Sequence, residues 1–372
     1  MNRLCEITGA EFPLFAFSHC RDVVAAVSRA GGFGVFGAAA FTPDSLEAEL
    51  AWIDANVGGK PYGVDLLIPS AQAVEEGTSH AEIARRVPDE HRAFVHGLLQ
   101  RHGIDVAPER LHQPRSIGTQ GAAEIMDIAF RHPIRLIASA LGTAPPEMIA
   151  RGRAAGVPVA ALVGTAEHAR RQLAAGVDVL VAQGGEAGGH TGEVATIVLV
   201  PEVLRTVAGR VPVLAAGGIM TGRQMAGMMA MGAAGVWTGS VWLATAESEV
   251  SETFREKMVA ASSRDTVRSR HRTGKPARQL RSAWHDAWEA EGAPPALPMP
   301  LMSAASEPAI SLIHRAADAG NPAAKELVTY FVGQGVGLVD GVRSAAAVVG
   351  EFKAEFAEAV GELCVMVGMS SA

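Results

Sequence analysis

Eight short apolar runs, at 13–17, 32–37, 62–68, 135–140, 158–163, 177–183, 212–216 and 235–239, recur through the first 240 residues of the 372-residue chain. They are rich in valine and isoleucine or bounded by glycine, and they are apolar throughout rather than in alternation. A strand of that kind needs cover on both faces, which is the condition of a parallel strand in an α/β protein. Segments with helical punctuation separate most of them. Thr42-Pro43 supplies an N-cap and a first-turn proline, after which Leu46, Leu50 and Ile53 share one face. Thr221 and Gln224 have the spacing of a capping box, and Met225, Met228 and Met229 follow at helical intervals as core packing. Strand and helix in alternation imply parallel pairing, and eight repeats close a barrel. The expected fold class is α/β, a (β/α)8 TIM barrel with a helical insertion and a C-terminal helical cap.

Two segments break the repeat. Residues at about 70–118 separate the third run from the fourth and are charged and helical in pattern, so they read as an insertion into a barrel that spans 1–250. Residues 251–372 open with a charged helix, pass through the basic run 268–278 and a proline-rich break, and continue in helices. They are expected to form a mostly helical cap, or substrate region, over one end of the barrel. The basic run itself reads either as a solvated face or as a surface that steers an anionic substrate such as a coenzyme A or acyl-carrier thioester.

In barrels of this kind the chemistry lies at the C-terminal ends of the strands, with phosphate often held by the loops after the seventh and eighth. Gly217 and Gly218 follow the seventh run here, and Gly239 and Ser240 the eighth. Small residues there expose backbone N–H groups to an anion. The sixth run leads into Ala182-Gln-Gly-Gly-Glu-Ala-Gly-Gly-His-Thr-Gly, a loop whose glycines admit a flat or charged ligand. Gln183 at the strand end can donate to and accept from a heterocycle, and Glu186 either orients the loop or is solvated. His190 can move a proton near neutral pH. His19, after the first run, faces the same end.

A net charge of −7 gives no field for nucleic acid or anionic lipid, so a small-molecule ligand is expected. Three scattered cysteines, Cys5, Cys20 and Cys364, make neither a disulfide framework nor a metal site and suit a reducing, cytoplasmic compartment. No apolar run reaches the length of a membrane span. The assembly state is left open, a homodimer included.

The loop 182–192, with Leu199-Val-Pro, the stretch from Pro212 to Arg223, the stretch from Met231 to Ser240 and Ala30-Gly-Gly-Phe-Gly-Val, resembles the nitronate monooxygenase family, formerly the 2-nitropropane dioxygenases. Flavin-dependent enoyl-acyl-carrier-protein reductases are similar and share these motifs. The resemblance runs from about residue 12 to 250 and implies an FMN-binding barrel. FMN phosphate would lie on Gly217, Gly218, Gly239 and Ser240, with Gln183 and Gly185 near the ring and ribityl chain. Ala16 and Phe17 would back the isoalloxazine, and Asp65 would stand near it. His190 matches the catalytic histidine of the family. Gly333-Gln-Gly-Val-Gly-Leu resembles a loop near the family's site, which makes Gln334 a substrate-side candidate beside His19. The chain departs from its relatives after the first run, where a bulky Phe17 replaces glycine and changes the space over the flavin.

The expected activity is oxidation of alkyl nitronates or related carbon acids with O2, His190 acting as the base or orienting the anion. An NAD(P)H-dependent FMN reductase of activated alkenes, such as enoyl thioesters, is the alternative, with NADH or NADPH as donor. A non-enzymatic flavin carrier and a phosphosugar or nucleotide barrel are two further readings.

Overall fold

The computed structural model describes residues 2–39, 41–66, 80–112, 122–140 and 142–368. Strands β1 (Leu14–Ser18), β2 (Phe33–Gly37), β3 (Tyr62–Leu66), β4 (Leu136–Ser139), β5 (Val159–Val163), β6 (Val179–Gln183), β8 (Val213–Ala216) and β9 (Gly235–Thr238) close into a parallel barrel in that order. β7, the two residues Gly189–His190, stands outside it. The chain is thus an α/β TIM barrel, and its eight strands fall at the eight apolar runs.

Alternation along each strand sorts side chains between two cores. Phe15, Val35, Leu136, Ala160, Val181, Leu214 and Trp237 fill the barrel interior. Leu14, Ala16, Phe36, Val64, Ile137, Ala161 and Ala215 point outward and pack against the helices. Leu46, Leu50 and Ile53 of the helix Pro43–Asn56 are fully buried in that outer layer, and Thr42 caps the helix. Thr221 and Gln224 form their capping box, with Met225 buried and Met228 and Met229 packed against the same layer. At the N-terminal end of the barrel, Leu4 of the helix Arg3–Thr8 joins the interior cluster, and Asn2 donates to the Ala234 carbonyl at 2.6 Å. Among the described residues, this helix covers the N-terminal end of the barrel.

The described part of the insertion, residues 80–112, does not stand alone. Val95, Leu98 and Leu99 share a second core with Phe254, Trp284, Trp288, Met302, Ile310 and Leu327. Residues after 251 divide between two places. Those up to about 339 build this second core, whereas Val348, Val349 and Phe352 of the helix Ala345–Met366 return to the outer layer of the barrel. There the helix lies against the helix Gly222–Ala230, whose Gly222 N–H donates to Glu355 at 2.7 Å. Among the described residues no helix is long and apolar enough to cross a membrane.

Residues 266–280 fold as a hairpin rather than as a loop or helix. β10 (Thr266–Ser269) pairs antiparallel with β11 (Ala277–Leu280), and β11 pairs in turn with β7. The basic run is therefore solvated only in part, with Arg270 and Lys275 exposed. Arg272 is 4% exposed and Arg278 is half-buried.

Candidate active site

Continuing the interior alternation to the C-terminal ends of the strands puts Phe17, Gly37, Asp65, Leu162, Gln183 and Trp237 around the barrel mouth. Ala16 is placed otherwise: its side chain is fully buried on the helix side, so any contact with a ligand is through its backbone. Phe17 stacks on Trp237 at 6.3 Å and meets His19 edge-on at 5.1 Å. Gly37 makes room for both, since a Cβ there would lie 2.7 Å from the Phe17 ring and 2.8 Å from that of His19. The His19 ring is bonded through Nδ1 to the Gly37 carbonyl at 2.7 Å. Its side chain is solvent-exposed, yet the desolvation imposed by the protein packed around it is the largest cause lowering its pKa.

Asp65 is 4% exposed, and its Oδ1 has no hydrogen-bond partner among the described residues. Burial raises its pKa to about 7, so at neutrality a large part of it carries a proton it can donate. A buried carboxyl oxygen left without a partner at a barrel mouth calls for a polar ligand there.

The loop after β6 is built on Glu186. Its carboxylate accepts from the Thr196 N–H at 2.8 and 3.1 Å and from the Thr196 hydroxyl at 2.9 Å. Thr196 opens the helix Thr196–Val207, whose N-cap Ala195 has no side chain to satisfy the first N–H groups, and Glu186 takes that part. Glu186 therefore orients the loop. Its backbone carbonyl accepts from the Gln334 N–H at 2.8 Å, and the Gly333 N–H donates to the Ser240 hydroxyl at 2.8 Å. The segment carrying Gln334 is thereby tied to both the histidine loop and the turn after β9. Gly185 is engaged within the protein, its N–H on Val194 and its carbonyl on the Arg278 guanidinium.

Gly217 and Gly218 turn the chain after β8 with φ of 108° and 72°, a conformation other residues rarely adopt. A Cβ on Gly217 would lie 2.6 Å from the Thr196 hydroxyl. The N–H groups of Gly218, Gly239 and Ser240 have no acceptor among the described residues. Two turns with open donors, beside a mouth that holds an orphaned carboxyl and an aromatic wall, fit a phosphorylated planar cofactor.

His190 is held by the hairpin that local sequence did not announce. Ala277 is its cross-strand partner, and its Nε2 is 2.8 Å from the Thr273 hydroxyl. That hydroxyl also donates to the Lys275 carbonyl at 3.2 Å. One proton cannot serve both bonds, so satisfying them together requires the ring to donate from Nε2, which leaves Nδ1 as the basic nitrogen. Burial first, and then the charges of Lys275 and Arg272, lower the His190 pKa to about 4. The imidazole is neutral at physiological pH, the state a proton acceptor needs, and the two cations favour an anion beside it. Thr273, Lys275 and Arg272 are the functional candidates that pattern reading missed. Their only sequence signal was the basic run.

A family model described as nitronate monooxygenase matches residues 16–355. A Mycobacterium tuberculosis protein with the provisional name of monooxygenase is 55% identical over 368 residues, 97% of this chain and 98% of that protein. Among solved structures, nitroalkane oxidase from Streptomyces ansochromogenes is similar with a TM-score of 0.78 at 27% identity, covering 97% of this chain and 99% of that one. FabK from Thermotoga maritima gives a TM-score of 0.72 at 28% identity and 98% coverage of both chains.

Proposed function

Because the chain belongs to the nitronate monooxygenase family, we propose that it is an FMN-dependent oxidoreductase that oxidises alkyl nitronates or related carbon acids with O2. The observation that carries this reading is His190, a neutral base fixed by Thr273 and set in the field of two cations on the loop that leaves β6. FMN, when bound, supplies the electron acceptor and the means of reaction with oxygen.

Gly217, Gly218, Gly239 and Ser240 would hold its phosphate, and Phe17, Asp65 and Gln183 would meet its ring. His190 takes the proton from the carbon beside the nitro group, or orients the anion when the substrate arrives as the nitronate. Neutralisation of the developing charge falls to Lys275 and Arg272, whose fields reach the same point. Phe17 narrows the space above the mouth and excludes water from it.

The test is anaerobic. FMN-loaded protein is mixed with ethylnitronate, and separately with NADH or NADPH, while the visible flavin band is followed. Rapid bleaching by the nitronate, abolished in His190→Asn, is expected. Bleaching by a pyridine nucleotide and not by the nitronate overturns the proposal in favour of an alkene reductase, and absence of any flavin band after FMN is added overturns both.

A further inference from the structure

Arg272 is the one guanidinium of the hairpin turn that is almost wholly buried, at 4% exposure. Glu307 accepts from its Nε at 2.8 Å and from its Nη2 at 3.4 Å, which occupies one edge of the planar group. Its face lies 4.0 Å over the Phe331 ring and 5.5 Å from that of Tyr330. Nη1 has no partner among the described residues. A buried, charged donor without an acceptor is costly, and aromatic stacking does not satisfy its N–H groups.

The unpaired edge belongs to the same neighbourhood as the base. Thr273, next in the chain, holds His190, and the Phe331 ring that carries the Arg272 guanidinium lies 6.4 Å from the His190 ring. The Arg272 charge also reaches His19, where it opposes protonation. A second orphan adjoins: Gln279, fully buried with neither amide atom bonded among the described residues, has its backbone bridged to Phe331. Lys275 is exposed, and its charge also reaches His190.

We propose that Arg272, through its free Nη1 edge and supported by Lys275, is the subsite for a planar two-oxygen anion, so that the enzyme binds small carboxylates as well as nitronates. A guanidinium edge and a two-oxygen anion match in spacing, and the Glu307 pair locks the fork in place before the ligand arrives. Carboxylates that copy a nitronate in shape then occupy the site without reacting. The inference rests on the nitronate-oxidation reading for its nitronate half; its carboxylate half stands on the orphaned edge alone.

Propionate, shaped like ethylnitronate, is the probe, and propionamide is its uncharged control. Both are titrated calorimetrically into FMN-loaded full-length protein. Propionate is expected to bind saturably and to compete with ethylnitronate, and propionamide to bind at least about tenfold more weakly, the size of a lost charge-assisted pair. Arg272→Gln alone would leave Glu307 buried and unpaired, so the decisive variant is Arg272→Gln with Glu307→Gln, its fold checked by circular dichroism. It should lose propionate binding about tenfold or more, and Lys275→Met, at an exposed position, should lose less. Equal propionate affinity in the double variant and the unaltered protein overturns the proposal, as does equal affinity for propionate and propionamide. Propionate binding that depends on Arg272 without turnover of any nitronate keeps the subsite and refutes nitronate oxidation as the activity. Nitronate turnover with a KM indifferent to the double substitution does the reverse.

Discussion

Acidification probes the state of His190 most directly. The fold lowers its pKa from 6.5 to about 4, with burial the largest cause and Lys275 the next. At 1.36 kcal/mol per pH unit, this corresponds to about 3 kcal/mol in favour of the neutral ring. For a group depressed in this way, the stability contribution is full above pH 6.5 and is lost as pH falls towards about 4, because the unfolded chain binds the proton first. The acid limb of kcat/KM should accordingly lie well below 6.5. Lys275→Met removes the second cause and leaves the first, so the limb should move up yet stay under 6.5. Asp65 at the barrel mouth, raised to about 7 by burial, titrates in the opposite sense for stability, so a melting curve mixes the two. The clean assay is NMR titration of the His190 ring, set beside the kcat/KM profile for ethylnitronate. A ring that titrates at 6.5 or above, unmoved by Lys275→Met, refutes the reasoning.

Glu186→Ala removes the acceptor at the start of the helix Thr196–Val207 and should cost about 1–3 kcal/mol in urea denaturation, combining a lost cap with a lost charge at the helix N-terminus. Glu186→Gln, which keeps an oxygen acceptor, should cost about half as much; equal losses would argue against the capping role. Thr273→Val should lower kcat about tenfold by releasing the Nε2 bond of His190, whereas Thr273→Ser should keep most of the activity. Unchanged kcat and pH profile in Thr273→Val would show that the tautomer is fixed elsewhere. Gly217→Ala puts a Cβ 2.6 Å from the Thr196 hydroxyl at a φ of 108°, and should lower both stability, by about 1–3 kcal/mol, and FMN affinity measured by fluorescence titration. Wild-type affinity would mean that the turn has no part in holding the phosphate.

The closed barrel was written into the sequence because its signals are local. Each strand is a short apolar run, Thr42 and Thr221 cap helices through residues three positions away, and neighbours along the chain are neighbours around the barrel. Gly217 and Gly218 were legible for the same reason, since a turn is decided by the residues that make it. The loop 182–192 could be seen to end at a histidine, but not what the histidine touches. Its partner Thr273 lies 83 residues away, in a stretch whose charge suggested a solvated face. Only packing lays β11 against β7, buries Arg272 between Glu307 and Phe331, and turns Glu186 back onto Thr196. Which face of β1 carries Ala16 was likewise settled by closure, because alternation along an all-apolar strand gives no clue to which side is the inside. Local periodicity can specify an element and its ends. The protonation state of a base depends on charges and burial contributed from elsewhere in the chain, and those exist only once the fold has formed.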